Sequence, residues 1–159
     1  MKHHPFLRNG VMAYPADTLF PEALELRPDE GPTDLTWIRE TERGAVVFVA
    51  SAGCEACRLE PAIEVMRDDP ELAYAVFYEG DEEALERLRR EVADLPCRVY
   101  RCDIFRLAQQ TPIRVVPYML AVRPDGHAAA SGLFNTYGHA ARIAGVLGVK
   151  RSAAAPSAP

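Results

Sequence analysis

The stretch Ala45-Val46-Val47-Phe48-Val49-Ala50-Ser51-Ala52-Gly53-Cys54-Glu55-Ala56-Cys57 decides how this chain is read. Its first six residues form a continuous apolar run rich in β-branched side chains. Such a run predicts a strand covered on both faces, since a half-exposed strand would alternate apolar with polar residues. From Glu55 to residue 68 the spacing becomes helical, with Leu59, Ile63 and Met66 on one face. Pro61 falls inside that pattern and predicts a kink. On this reading Cys54 opens a helix, where unpaired N–H groups and the positive end of the dipole stabilise a thiolate. Cys57 lies one turn on, within disulfide range. Cys54 is then the exposed nucleophile and Cys57 the buried resolving thiol. A structural disulfide, or half of a zinc site, are the competing readings. Zinc would need Cys97 and Cys102 as its other half, and these straddle a predicted strand.

Working outward, residues 72–78 predict a second buried strand. Asp81 caps a helix whose core face is Ala84, Leu85, Leu88 and Val92. A short strand is expected over 98–101, a brief helix over 104–110 and a strand over 118–122. Pro124-Asp125-Gly126 makes a turn, and 127–132 returns as the hairpin partner. Asn135 or Thr136 caps a last helix over 137–147. Before the central run, residues 23–26 predict a short strand, 28–32 a turn and 34–42 a short helix bearing Trp37. Parallel strands joined by helical crossovers and closed by an antiparallel hairpin give an α/β fold, a mixed sheet with helices on both faces. Residues 1–21 read as an irregular N-terminal segment, 22–148 as the domain, and 149–159, rich in Ala, Ser and Pro, as a disordered tail.

The bulk properties narrow the function. The 159 residues fit one domain with an ordinary core, so four cysteines are too few to be a disulfide scaffold. At least two of them therefore read as chemistry. Net charge is −5 and no Lys/Arg cluster stands out, which argues against a nucleic-acid partner. No run of roughly 18 apolar residues predicts a membrane span. The N-terminus lacks a secretory signal as written. The expectation is thus a cytoplasmic protein, or a periplasmic or extracellular one whose leader is missing from this chain. The histidines show no metal-site spacing, and neither a metal nor a cofactor is expected.

A second observation is Val115-Val116-Pro117-Tyr118, about sixty residues after the cysteines and just before a strand. Proline removes a ladder donor there. Its best use is a cis bond that sets a backbone segment beside the cysteine pair. Val116 then offers its backbone to an extended substrate, and Tyr118 either borders that groove or is a packed aromatic.

With these residues the chain resembles the thioredoxin-like superfamily, most of all TlpA-like redoxins and the MauD-type proteins of methylamine dehydrogenase maturation. The matching stretches are residues 46–62, with Cys54-Glu55-Ala56-Cys57-Arg58-Leu59-Glu60-Pro61, and 116–126. Gly132-Leu133-Phe134-Asn135-Thr136-Tyr137-Gly138-His139 also resembles the MauD-type ending. The resemblance implies a three-layer thioredoxin-like sandwich, a Cys54/Cys57 redox pair and Pro117 as the cis-proline. Three departures stand out. Gly53 replaces the Trp often found before the first cysteine. Phe48 replaces the buried acid six residues before it, so proton transfer at Cys57 must use another group or water. Glu55 in the first helical turn competes with a thiolate at Cys54, which predicts a less oxidising pair.

Two functional classes fit these residues. One is a thiol–disulfide oxidoreductase that exchanges electrons with a protein thiol or disulfide substrate and a redox partner protein. The other is a non-catalytic thioredoxin-like binding or assembly module. A peroxidase fits less well, because its nucleophile usually stands near a Thr with a distant resolving cysteine. Cys97 and Cys102 read as core or surface thiols, with a second disulfide relay as the lesser alternative.

Overall fold

The apolar run at 45–50 is the middle of the fold. In the computed structural model, which describes residues 14–148, it forms most of β3 (Ala45–Ser51). Before it come β1 (Ala23–Leu24) and β2 (Thr33–Asp34), paired as a small antiparallel ribbon. After it come α1 (Glu60–Asp68), β4 (Ala73–Glu79), α2 (Glu82–Glu91), β5 (Cys97–Arg101) and α3 (Ile104–Gln110). The chain then forms β6 (Tyr118–Val122), β7 (Ala128–Leu133) and α4 (Tyr137–Ala144). The larger sheet has the order β5-β4-β3-β6-β7. Its β3, β4 and β5 are mutually parallel, while β6 runs antiparallel to both β3 and β7.

Alternation along each strand divides the core in two. Val46, Phe48, Tyr74, Val76 and Met119 face one side, where α1, α2 and α4 cover them. Val47, Val49, Ala75, Phe77, Tyr118 and Leu120 face the other, against α3, Leu24, Leu26, Ile38 and Phe20. The result is three layers, as expected. Local signals hold its ends: Asp81 accepts from the Ala84 N–H at 2.8 Å, and Thr136 caps α4 through the His139 N–H at 3.1 Å. The hairpin turn ends at Gly126, whose φ of +92° suits glycine.

Several expectations change. The strand expected over 23–26 is only two residues long and pairs with Thr33–Asp34, which carry no apolar signal. The helix expected over 34–42 is a single 3-10 stretch, Thr36–Glu40, because the Asp34 carboxylate accepts from the Thr36 N–H and holds the chain in a turn. Residues 14–21 are irregular in backbone, yet Tyr14 and Phe20 are buried in the same core. Residues 1–13 and 149–159, including the tail expected to be disordered, lie outside the described residues.

Candidate functional site

β3 ends at Ser51, and hydrogen bonds to this residue and to the neighbouring strand shape the turn after it. The Ala52 N–H donates to the Glu79 carbonyl at 2.7 Å, still in sheet register. The Gly53 N–H donates to Ser51 Oγ at 3.2 Å and the Cys54 N–H to the Ser51 carbonyl at 3.2 Å. A second turn closes between the Cys57 N–H and the Cys54 carbonyl at 3.1 Å. The two cysteines therefore sit in consecutive turns between strand and helix.

The helix itself starts later than the spacing predicts. It begins at Glu60, with Leu59 as its N-cap. Pro61 occupies the first turn instead of kinking the interior; its missing N–H would have been unpaired there in any case, and its fixed φ suits a helix start. Cys54 is consequently not the opening residue of α1. Glu55 is likewise in the cysteine turn rather than in a first helical turn.

The sulfurs nonetheless meet. The Cys54 thiol lies beside that of Cys57, and the Ser51 backbone lies near the Cys57 sulfur. Burial and, next, the contact with Cys54 push the Cys57 thiol up to about 12, so it is protonated at neutral pH. Both cysteines are partly exposed and neither is in a disulfide.

The Val116–Pro117 bond is cis, as its position before a strand predicts. Tyr118 opens β6 opposite Val49 of β3, so Pro117 and the Ser51–Cys57 segment lie at the same end of the sheet. Val116 is half-buried and packs against the core. Tyr118 points inward, 1% exposed. Its hydroxyl accepts from the Tyr14 N–H at 2.7 Å and donates to Ser131 Oγ at 2.7 Å. Its ring is thus the packed aromatic, not a groove side chain.

The remaining cysteines are elsewhere. Cys97 packs against the core under α1 and α2, and Cys102 belongs to the core on the opposite face. Their sulfurs therefore cannot form the relay disulfide, and they cannot join Cys54 and Cys57 in a four-cysteine zinc site. Among the described residues no cluster of three or more His, Cys, Asp or Glu side chains is arranged to hold a metal.

Glu79 is a polar partner of Ser51, at the end of β3, that the sequence pattern does not single out. The Ser51 hydroxyl donates to Glu79 Oε1 at 3.3 Å, and the Ile104 N–H donates to Oε2 at 3.0 Å. A weak signal exists, because Glu79 is the first charge after an apolar strand. Its register partner, however, is visible only once β3 and β4 pair.

No family model matches this chain, and no curated protein matches it. Solved structures do. The chain is similar to MTB dsbF in its mixed oxidised and reduced forms, with 16% identity, a TM-score of 0.56, and coverage of 85% of this chain and 99% of that one. It is also similar to a thiol:disulfide interchange protein of the thioredoxin family from Chlorobium tepidum, at 14% identity and TM-score 0.53, covering 85% and 97%. The chain has the thioredoxin-like fold. A third thioredoxin-like structure is a secreted Mycobacterium tuberculosis disulfide oxidoreductase described as homologous to E. coli DsbE, at 12% identity and TM-score 0.50, covering 87% and 96%. Within this fold the position of the departed acid is filled by Phe48, fully buried, edge-on to Phe134 at 5.1 Å between ring centres and stacked on Tyr74 at 6.3 Å. No helix of the described residues is long and apolar enough to cross a membrane.

Proposed function

We propose that the protein is a thiol–disulfide oxidoreductase acting on protein partners. The observation that carries this reading is the contact of the Cys54 and Cys57 thiols in the turns following the central strand. In the reducing direction, the Cys54 thiolate attacks one sulfur of a partner disulfide. An S–S bond forms, the partner's S–S bond breaks, and one partner thiolate leaves and is protonated. Cys57 then gives up its proton and attacks the Cys54 sulfur. The internal disulfide forms, and the second partner thiolate leaves with a proton. The partner is reduced by two electrons and the protein is oxidised by two; a redox partner protein reverses this. Val116 and Pro117 are proposed to present backbone to the partner segment, supported by their place at the same end of the sheet.

The compartment proposed is outside the cytoplasm, where disulfides persist. The secreted structural neighbour supports it, and the cytoplasmic expectation gains no support from the comparisons. A redox-idle binding module is the second reading, favoured by Phe48, a buried apolar residue where the family resemblance expects a buried acid.

Insulin reduction coupled to dithiothreitol separates the two. Cys54→Ser is expected to lose exchange by at least about 10³-fold, whereas Cys57→Ser retains the first attack and accumulates mixed disulfides seen on non-reducing gels. Full activity in Cys54→Ser rejects the assignment, and an inactive wild type favours the idle module.

A further inference from the structure

Glu79 is the last residue of β4 and stands opposite Ser51, the last residue of β3. The three consecutive residues ahead of Cys54 are tied to it. Its backbone carbonyl accepts from the Ala52 N–H at 2.7 Å. Its carboxylate accepts from the Ser51 hydroxyl at 3.3 Å, and that hydroxyl in turn accepts from the Gly53 N–H at 3.2 Å. The other carboxylate oxygen is engaged as well, by the Ile104 N–H at 3.0 Å, at the first residue of α3. The carboxylate is thereby fixed from two sides, between a strand end and a helix start.

The direction of these bonds matters. A hydroxyl has one hydrogen to donate, and Ser51 gives it to Glu79. Its lone pairs are left for the Gly53 N–H, so the carboxylate sets which way the hydroxyl points and, through it, the path of the chain at Gly53. An ionised acceptor strengthens such a chain of hydrogen bonds. Gly53 has no side chain to pack, so hydrogen bonds hold this stretch instead. The next links are the Cys54 N–H on the Ser51 carbonyl and the Cys57 N–H on the Cys54 carbonyl. The turns that carry both sulfurs thus start from a residue whose side chain Glu79 orients.

We propose that Glu79 is a positioning residue for the disulfide step: through Ser51 it holds the cysteine turn in the shape that the internal disulfide needs. The proposal rests on the exchange reading above and deepens it. In that step a bond forms between the Cys54 and Cys57 sulfurs, and two electrons and two protons pass to the disulfide that is reduced. A turn already closed loses little freedom when the bond forms, so loosening it weakens the internal disulfide and slows the attack by Cys57. The first attack, by Cys54 on a partner, needs only one of the two sulfurs and is spared.

Equilibration with reduced and oxidised glutathione, followed by mapping of the Cys54 and Cys57 thiols, tests it. In Glu79→Ala the constant for forming the internal disulfide is expected to fall about tenfold, a potential about 30 mV less negative. Glu79→Gln keeps an acceptor for the Ile104 N–H and a polar partner for Ser51, and should stay within about 2-fold of the wild type. Ser51→Ala should fall as far as Glu79→Ala, and the double variant no further than either, because both cut one chain of bonds. Thr136→Ala, which removes the α4 cap, loses stability elsewhere and should leave the constant unchanged. In a Cys57→Ser background, Glu79→Ala should alter the rate of mixed-disulfide formation by less than about 2-fold. An unchanged constant in Glu79→Ala, an equal shift in Thr136→Ala, additive losses in the double variant, or a first attack slowed as much as the disulfide step each overturn the proposal and leave exchange standing. A wild-type pair that stays reduced at every glutathione ratio and reduces no insulin overturns both readings.

Discussion

Cys54/Cys57 and Cys97/Cys102 are both close pairs in sequence, yet only the first brings its sulfurs together. The first pair lies in turns, where the chain folds back through the Cys57 N–H to Cys54 carbonyl bond. The second straddles a strand. Cys97 opens β5 and Cys102 follows its last residue, and the odd offset sends their side chains into cores on opposite faces of the sheet. Proximity in sequence is thus converted into chemistry by backbone conformation, and a strand is the conformation that prevents it. The two pairs also differ in what surrounds them. Cys97, Cys102 and Cys57 are all raised to about 12 by burial first, and the Cys57 shift reflects, next, its proximity to a second thiol.

The largest contrast should appear in thiol reactivity. A thiol at about 12 is ionised to about one part in 10⁴ at pH 8, and Cys102 is in addition only 2% exposed. Iodoacetamide under native conditions should therefore modify Cys54 at least about 100-fold faster than Cys102, as read by peptide mass mapping. Comparable rates would erase the distinction between a site pair and a core pair.

How much of this is legible in the sequence depends on the range of the signal. The central strand, the turn at Pro124-Asp125-Gly126 and the caps at Asp81 and Thr136 are local: each residue acts on a neighbour within four positions. Those features are readable, and so is the placement of the cysteines after β3. Periodicity misplaces the start of α1 because Pro61 has two local meanings, kink or first turn, and spacing alone does not choose between them. The β1–β2 ribbon escapes a sequence reading because Thr33 and Asp34 pair without an apolar pattern. Glu79 beside Ser51, and the meeting of the Ile104 N–H with the same carboxylate, arise from register and from helix packing on the sheet. Residues separated by about thirty positions carry no mark of that meeting in the sequence.

A medium effect is expected in stability. Cys102→Ser puts a hydroxyl into an apolar core where the thiol had packed as a hydrophobe, and should cost about 1–3 kcal/mol in urea unfolding. Cys54→Ser, in the more open turn, should stay within about 0.5 kcal/mol. If both cost the same, the second pair does not have the core role assigned to it.

The smallest expected effect is a loss of stability at alkaline pH. The Cys97 and Cys102 thiols stand at about 12 in the fold against 9.0 for an ordinary thiol. Above pH 9 the unfolded chain gives up these protons while the folded one keeps them. The unfolded state then binds fewer protons, so unfolding becomes easier as pH rises from 9 towards 12, and nothing is lost below 9. Tyr14, raised to about 12 chiefly by burial, joins them once its ordinary value of 10.0 is passed. Urea midpoints at pH 8 and pH 10 should therefore show a loss on the order of 1 kcal/mol for each core thiol. In a Cys97→Ala, Cys102→Ala protein that part of the loss should vanish, even though the starting stability is lower. The same test on Cys57→Ala should remove a smaller share, because Cys57 is less enclosed than Cys102. An unaltered pH slope in the double variant would mean that the buried thiols do not resist ionisation, and the contrast between the two pairs would then rest on geometry alone.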